Sequence, residues 1–116
     1  GASSNDTALK TALLAAAAAG SLEYAFGRVM ARRPADGIPF DSRRYFLSPR
    51  FFSATDNETK MCTIGLPSGD AVFGRIAFED LTNVTEIAWG CHSDEYCCGW
   101  RCCDGGDRAG LPPGPV

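Results

Sequence analysis

The chain is predicted to have an α+β fold: a long N-terminal Ala-rich helix followed by a small disulfide-rich antiparallel β module. Three observations predict it. The first thirty-three residues hold helix formers and an apolar repeat at spacing four, with no proline before Pro34. From residue 44 the pattern breaks into short aromatic and β-branched runs separated by polar turns. Five of the six cysteines, Cys91, Cys97, Cys98, Cys102 and Cys103, fall within thirteen residues, the density of a disulfide framework.

The helix is expected over residues 4–33. Ser4, Asn5 or Asp6 can cap its start, Ala and Leu have high helix propensity, Arg28, Arg32 and Arg33 suit the negative end of the helix dipole, and Pro34 stops it. Such a helix would be roughly 40 Å long at 1.5 Å per residue. Leu14, Ala18, Leu22, Phe26 and Met30 recur every four positions as a bulky ridge, while Ala16, Gly20 and Gly27 leave a shallow surface that another backbone can approach. The ridge can cover the chain's own sheet. It can equally pack between copies, because residues 11–22 are apolar or small on nearly every side. Leu14, Ala16, Gly20, Leu22, Phe26, Gly27 and Met30 are therefore the candidate assembly interface.

Residues 34–39 form a Pro/Gly linker and the expected boundary, dividing the chain into a helical arm at 1–34, a β module at 35–103 and a Gly/Pro-rich tail at 104–116. Strands are expected around 44–47, 51–53, 60–64, 71–73, 75–78 and 84–89, with turns at Ser48-Pro49, Asp56-Asn57 and Pro67-Ser68-Gly69-Asp70. The tail carries Leu111-Pro112-Pro113-Gly114-Pro115, whose natural conformation is extended polyproline II.

Six cysteines allow fifteen pairings, and ten remain once bonds between the sequence neighbours Cys97-Cys98 and Cys102-Cys103 are excluded. Cys62 must reach the C-terminal cluster in all of them. A bond to Cys91, for example, closes a loop of nearly thirty residues and contributes roughly 3 to 4 kcal/mol in the chain-entropy model. A zinc site built on these thiolates and His92 is the competing reading, but the C-x5-CC-x3-CC spacing lacks two separated CxxC hairpins. Three N-glycosylation sequons, at Asn5, Asn57 and Asn83, accompany the cysteines and point to an oxidising, extracellular compartment.

Of the hydrophobic residues, sixteen are Ala and six are Cys, so only thirty bulky apolar side chains remain for a core. Disulfides commonly offset that deficit in small secreted domains. A net charge of −3 gives no general attraction to nucleic acid or anionic lipid. The uncharged run at 11–22 is too short to span a bilayer, and the start at Gly1 without an h-region is expected to follow removal of a signal peptide. No cofactor motif precedes a helix, since Gly65, Gly69 and Gly74 do not make a phosphate fingerprint. The single histidine, His92, lies within the cysteine cluster beside Asp94 and Glu95, where solvated charge rather than catalysis is expected. The six arginines that bracket the linker, Arg28, Arg32, Arg33, Arg43, Arg44 and Arg50, could make a basic band, or simply a solvated helix end and strand edge.

Ile87-Ala88-Trp89-Gly90-Cys91, followed by Tyr96-Cys97-Cys98-Gly99 and Cys102-Cys103, resembles the CX module of nematode extracellular proteins. Arg44-Tyr45-Phe46, the lone Cys62 and Phe78-Glu79-Asp80-Leu81-Thr82 extend the resemblance over about residues 43–103. It implies an extracellular disulfide module, often near a membrane anchor and without established catalytic activity; no anchor is visible in this chain. Residues 15–34 are similar to the Ala/Gly-rich hydrophobic segment of prion proteins, a type of segment that can pack against its own copies. The function expected from all this is that of a secreted glycoprotein with a structural, self-assembling role through its helix, filament formation included, rather than an enzyme. The alternative is a monomeric recognition module in the ectodomain of a membrane-anchored receptor or ligand.

Overall fold

The computed structural model describes residues 2–104, with helix side chains from Ala8 onward. An N-terminal helix is followed by antiparallel strands and three cysteine pairs, the α+β architecture expected. Helix α1 is Ala2–Ala18. Leu9, Leu13 and Ala17, four residues apart, form its inward stripe and are buried. Leu14 and Ala16 pack at the margin of the same core.

The helix is shorter than its propensities suggest. After Ala18 the amides of Ala19, Gly20 and Ser21 close back onto Ala16 and Ala17 carbonyls, and the chain then turns into a hairpin of β1, Leu22–Ala25, and β2, Arg28–Ala31. This corrects the expected helix over 4–33. Tyr24, Phe26 and Val29 are poor helix formers and good strand formers, and Phe26 and Gly27 both adopt positive φ, 57° and 74°, in a two-residue turn. The spacing-four repeat of Leu22, Phe26 and Met30 misled because four is a multiple of the strand period as well as close to the helical one. These three residues share no helical face, so the continuous ridge does not exist.

The polypeptide continues through a short 3-10 turn, Pro34–Asp36, into β3, Ile38–Phe40, and β4, Arg43–Phe46. Gly37 between them has φ 74° and ψ 177°, and a Cβ there would meet Arg44 Cγ at 2.3 Å, so glycine is required. Strand β5, Lys60–Gly65, and β6, Glu86–Cys91, complete an antiparallel sheet in the order β3-β4-β6-β5. Tyr45 and Cys62 sit opposite Trp89 from the two sides of β6. The helix, the sheet and the 70–84 segment enclose one core that includes Leu13, Tyr45, Phe73, Ile76, Ile87 and Trp89. A last hairpin, β7, Tyr96–Cys98, and β8, Arg101–Cys103, stands beside the sheet.

Three expected strands are absent. Residues 49–51 make a 3-10 turn capped by the Ser48 hydroxyl, in place of a strand at 51–53. The stretch 71–73 bends because Asp70 Oδ2 accepts the amides of Val72, Phe73 and Gly74 and curls the chain around itself, and 75–78 forms no strand. Ala77 makes only isolated bridges, to Met30 and Asn83. The polyproline expectation for the tail lies outside the described residues.

Candidate functional site

The six cysteines pair as Cys62–Cys97, Cys91–Cys102 and Cys98–Cys103. Their Cα separations of 5.6, 5.7 and 5.8 Å lie in the usual disulfide range. Neighbouring strands β5 and β6 each send one cysteine to the β7–β8 hairpin, so two bridges staple it to the sheet and the third closes the hairpin on itself. Cys62 reaches the C-terminal cluster as expected, but its partner is Cys97 rather than the Cys91 used above as an example. Cys62 and Cys91 are both buried, and their sulfurs lie 3.2 Å apart, so the two bridges pack against each other.

Trp100, at the β7–β8 turn, plugs the hairpin into the core. Its ring stacks on Phe73 with centroids 6.0 Å apart, and its carbonyl accepts the Tyr45 hydroxyl at 2.6 Å. Burial pushes the Tyr45 phenol above its usual pKa, against the opposing pull of Arg43. Lys10 of α1 lies over the Trp100 ring, 5.8 Å from its centroid, and pairs with the carboxylate of Asp70. Burial raises the Asp70 pKa, but the hydrogen bonds from Lys10, Phe73 and Gly74 outweigh it and hold the carboxyl below its ordinary range. Helix, turn and knot thus meet at one indole.

His92, Asp94 and Glu95, the residues considered for chemistry, lie in the β6–β7 connection. His92 is exposed, and its backbone amide donates to Glu95 Oε1 at 2.8 Å. Lys60 Nζ donates to the Glu95 carbonyl at 2.7 Å, which ties the β6–β7 turn to β5. Cys91, Glu95 and Cys102 bring three potential ligand atoms within 4.8 Å, but the two sulfurs are joined to each other and offer no thiolate. Of the arginine band, Arg44 donates to the Asp36 carbonyl at 2.7 Å, Arg43 faces Asp41, and Arg50 lies 4.8 Å from both the Phe51 and Phe78 rings with Asp80 at 3.7 Å. Hydrogen bonds from Thr82 are the largest influence lowering the exposed Asp80 carboxyl.

Asn57 is exposed on the wall of an open cleft of about 840 Å³ that also involves Phe40, Arg43 and Phe46. Asn83 is exposed as well, with its Nδ2 donating to the Gly74 carbonyl at 2.9 Å, and Asn5 falls within α1. The candidate interface residues are dispersed. Leu14, Ala16 and Leu22 are half-buried, Gly20 lies in the turn after the helix, and Met30 is buried. Phe26 and Gly27 form the hairpin tip, where Phe26 is 89% exposed. Sequence reasoning missed Tyr24, which is 76% exposed beside it, and its signal was the two-residue turn that makes 22–31 a hairpin.

The family model of the CX module matches residues 45–104, a span that begins in β4 and takes in all six cysteines and the Trp100 plug. The chain belongs to the CX module family. A CX module is an extracellular-type cysteine-rich domain, consistent with an extracellular location for this one. Helix α1 and the β1–β2 hairpin lie outside the matched span. An uncharacterised protein of Caenorhabditis elegans is 28% identical over 87 residues, covering 75% of this chain. The chain spans 37% of the length of that relative. No solved structure matches the chain. Among the described residues, no helix is long and apolar enough to cross a membrane.

Proposed function

We propose that this chain is a secreted, N-glycosylated interaction module that works by presenting a rigid surface to a partner rather than by catalysis. The observation that carries it is the placement of the helix. Its inward residues Leu9, Leu13 and Ala17 are enclosed by the chain's own core, which gives a braced body that does not need a neighbour to cover its helix. Knot, plug and sheet then hold the loops and hairpins in fixed relation, and pre-organisation of that kind lowers the entropic cost of recognition. The CX module match supports the extracellular setting, and the exposed Asn57 and Asn83 support glycan attachment. Recognition within the ectodomain of a membrane-anchored receptor or ligand fits this body better than a filament built on helix packing.

Self-assembly remains a second reading because Tyr24 and Phe26 expose large apolar surface. Gly20→Leu separates helix packing from other modes, since a Cβ at Gly20 meets nothing within 4 Å inside the chain. In sedimentation of the glycoprotein from a eukaryotic secretion host, the variant and the parent should have the same size distribution. Large particles or fibres that Gly20→Leu disperses would overturn the proposal in favour of the helix-built assembly.

A further inference from the structure

We propose that this chain forms a two-fold dimer by pairing the outer edge of β1 with the same edge of a second copy, and this goes beyond the interaction-module reading. On β2, Ala31 donates its amide to the Ala77 carbonyl and Val29 accepts the Ala77 amide, at 2.8 and 3.0 Å. Those two residues point away from β1. The alternation of an antiparallel ladder then turns Arg28, Met30 and Arg32 toward β1, as the bond from the Arg32 amide to the Ser21 carbonyl confirms. Consequently Ser21, Glu23 and Ala25 spend their backbone groups inward, and Leu22 and Tyr24 direct theirs to the open side. Among the described residues, no strand pairs with that side of β1.

Edge strands in monomeric proteins are commonly blunted by shortness, by charge, especially lysine, by proline or by a bulge. Leu22-Glu23-Tyr24-Ala25 has no lysine, proline or bulge, its one charge is Glu23, and Tyr24 and the adjoining Phe26 are 76% and 89% exposed. The two-fold register follows from charge and hydrogen bonding together. Setting Tyr24 opposite Tyr24 joins the outward groups in a hydrogen-bonded pair and puts Glu23 opposite Ala25. The alternative, with Leu22 opposite Tyr24, sets Glu23 against Glu23, a like-charge contact. In the favoured register Phe26 of one copy falls opposite Leu22 of the other. Leu22, Leu14, Ala18, Tyr24, Val29 and Val72 line an apolar groove of about 390 Å³, so the exposed ring arrives at its mouth. Plug and socket lie on one hairpin, four residues apart, and only a second copy turned by the two-fold brings them together.

The test is sedimentation velocity of the full glycosylated chain over a hundred-fold concentration range, with Phe26→Asn and Tyr24→Pro beside the parent. Asn-Gly is a favoured pair for this turn, so Phe26→Asn should leave the thermal midpoint unchanged or raise it while removing the plug. Proline at 24 removes an outward amide and spares the inward ladder. The expected result is a concentration-dependent dimer for the parent, with dissociation constants at least tenfold weaker for both variants. A parent that stays monomeric throughout overturns the dimer and leaves the module reading standing. A dimer that both variants preserve overturns this edge as its interface.

Discussion

Asp70 concentrates several constraints in one carboxylate. It accepts three backbone amides, pairs with Lys10, and so fastens the helix to the turn that carries Phe73. Because its folded pKa lies below the ordinary value, its contribution to stability is fully present above about pH 4 and is lost as pH falls through the folded value. Asp70→Asn leaves an oxygen for the amides but leaves Lys10 without its counter-charge. The variant should lose about 1 to 2 kcal/mol at pH 7, less than for a fully buried pair because Lys10 and Asp70 are only partly buried. Chemical denaturation between pH 7 and pH 2 should show the two proteins converging toward the acid end. A constant gap across that range would mean that the charge contributes nothing and only the side chain's shape matters.

At the scale of elements, the helix is where sequence and structure part most clearly. Its existence was legible from the Ala and Leu content, and so were β4, β5 and β6, whose aromatic and β-branched runs fit a half-buried pleat. Its end was not, because Leu22, Phe26 and Met30 satisfy both periods and only the Phe26-Gly27 turn, at positive φ, decides between them. The buried stripe was misplaced by one position: Leu13 is enclosed, whereas Leu14 lies at the margin. The bend at 70–74 depends on a single carboxylate capping amides that follow it, a signal that propensity does not register. A pair of truncations tests the helix face. Leu13→Ala should cost about 3 kcal/mol, within the usual range for an enclosed leucine, and Leu14→Ala about 1 kcal/mol. Equal losses by urea denaturation would place the two leucines in equivalent surroundings and contradict the stripe.

For the whole molecule, the disulfide framework determines how the module holds together outside a reducing environment. The cysteine cluster announced the knot, but ten pairings stayed open because connectivity depends on which strands become neighbours, and β6 lies between β4 and β5 only in the folded sheet. The three bridges span very different lengths of chain: 35 residues for Cys62–Cys97, 11 for Cys91–Cys102 and 5 for Cys98–Cys103. Loop-closure entropy then ranks them, at about 4, 3 and 2 kcal/mol respectively. Replacing each pair by alanines should lower the thermal midpoint in that order, with peptide mapping under non-reducing conditions confirming that the other two bridges are retained. Packing strengthens the ranking at its top, because Cys62 is buried against the Cys91 bridge and its loss leaves a void next to that sulfur, whereas the Cys98–Cys103 pair is only partly enclosed at the hairpin's own margin. If the short Cys98–Cys103 bridge proved the costliest to remove, stability would reside in the hairpin that carries Trp100 rather than in the staple between hairpin and sheet.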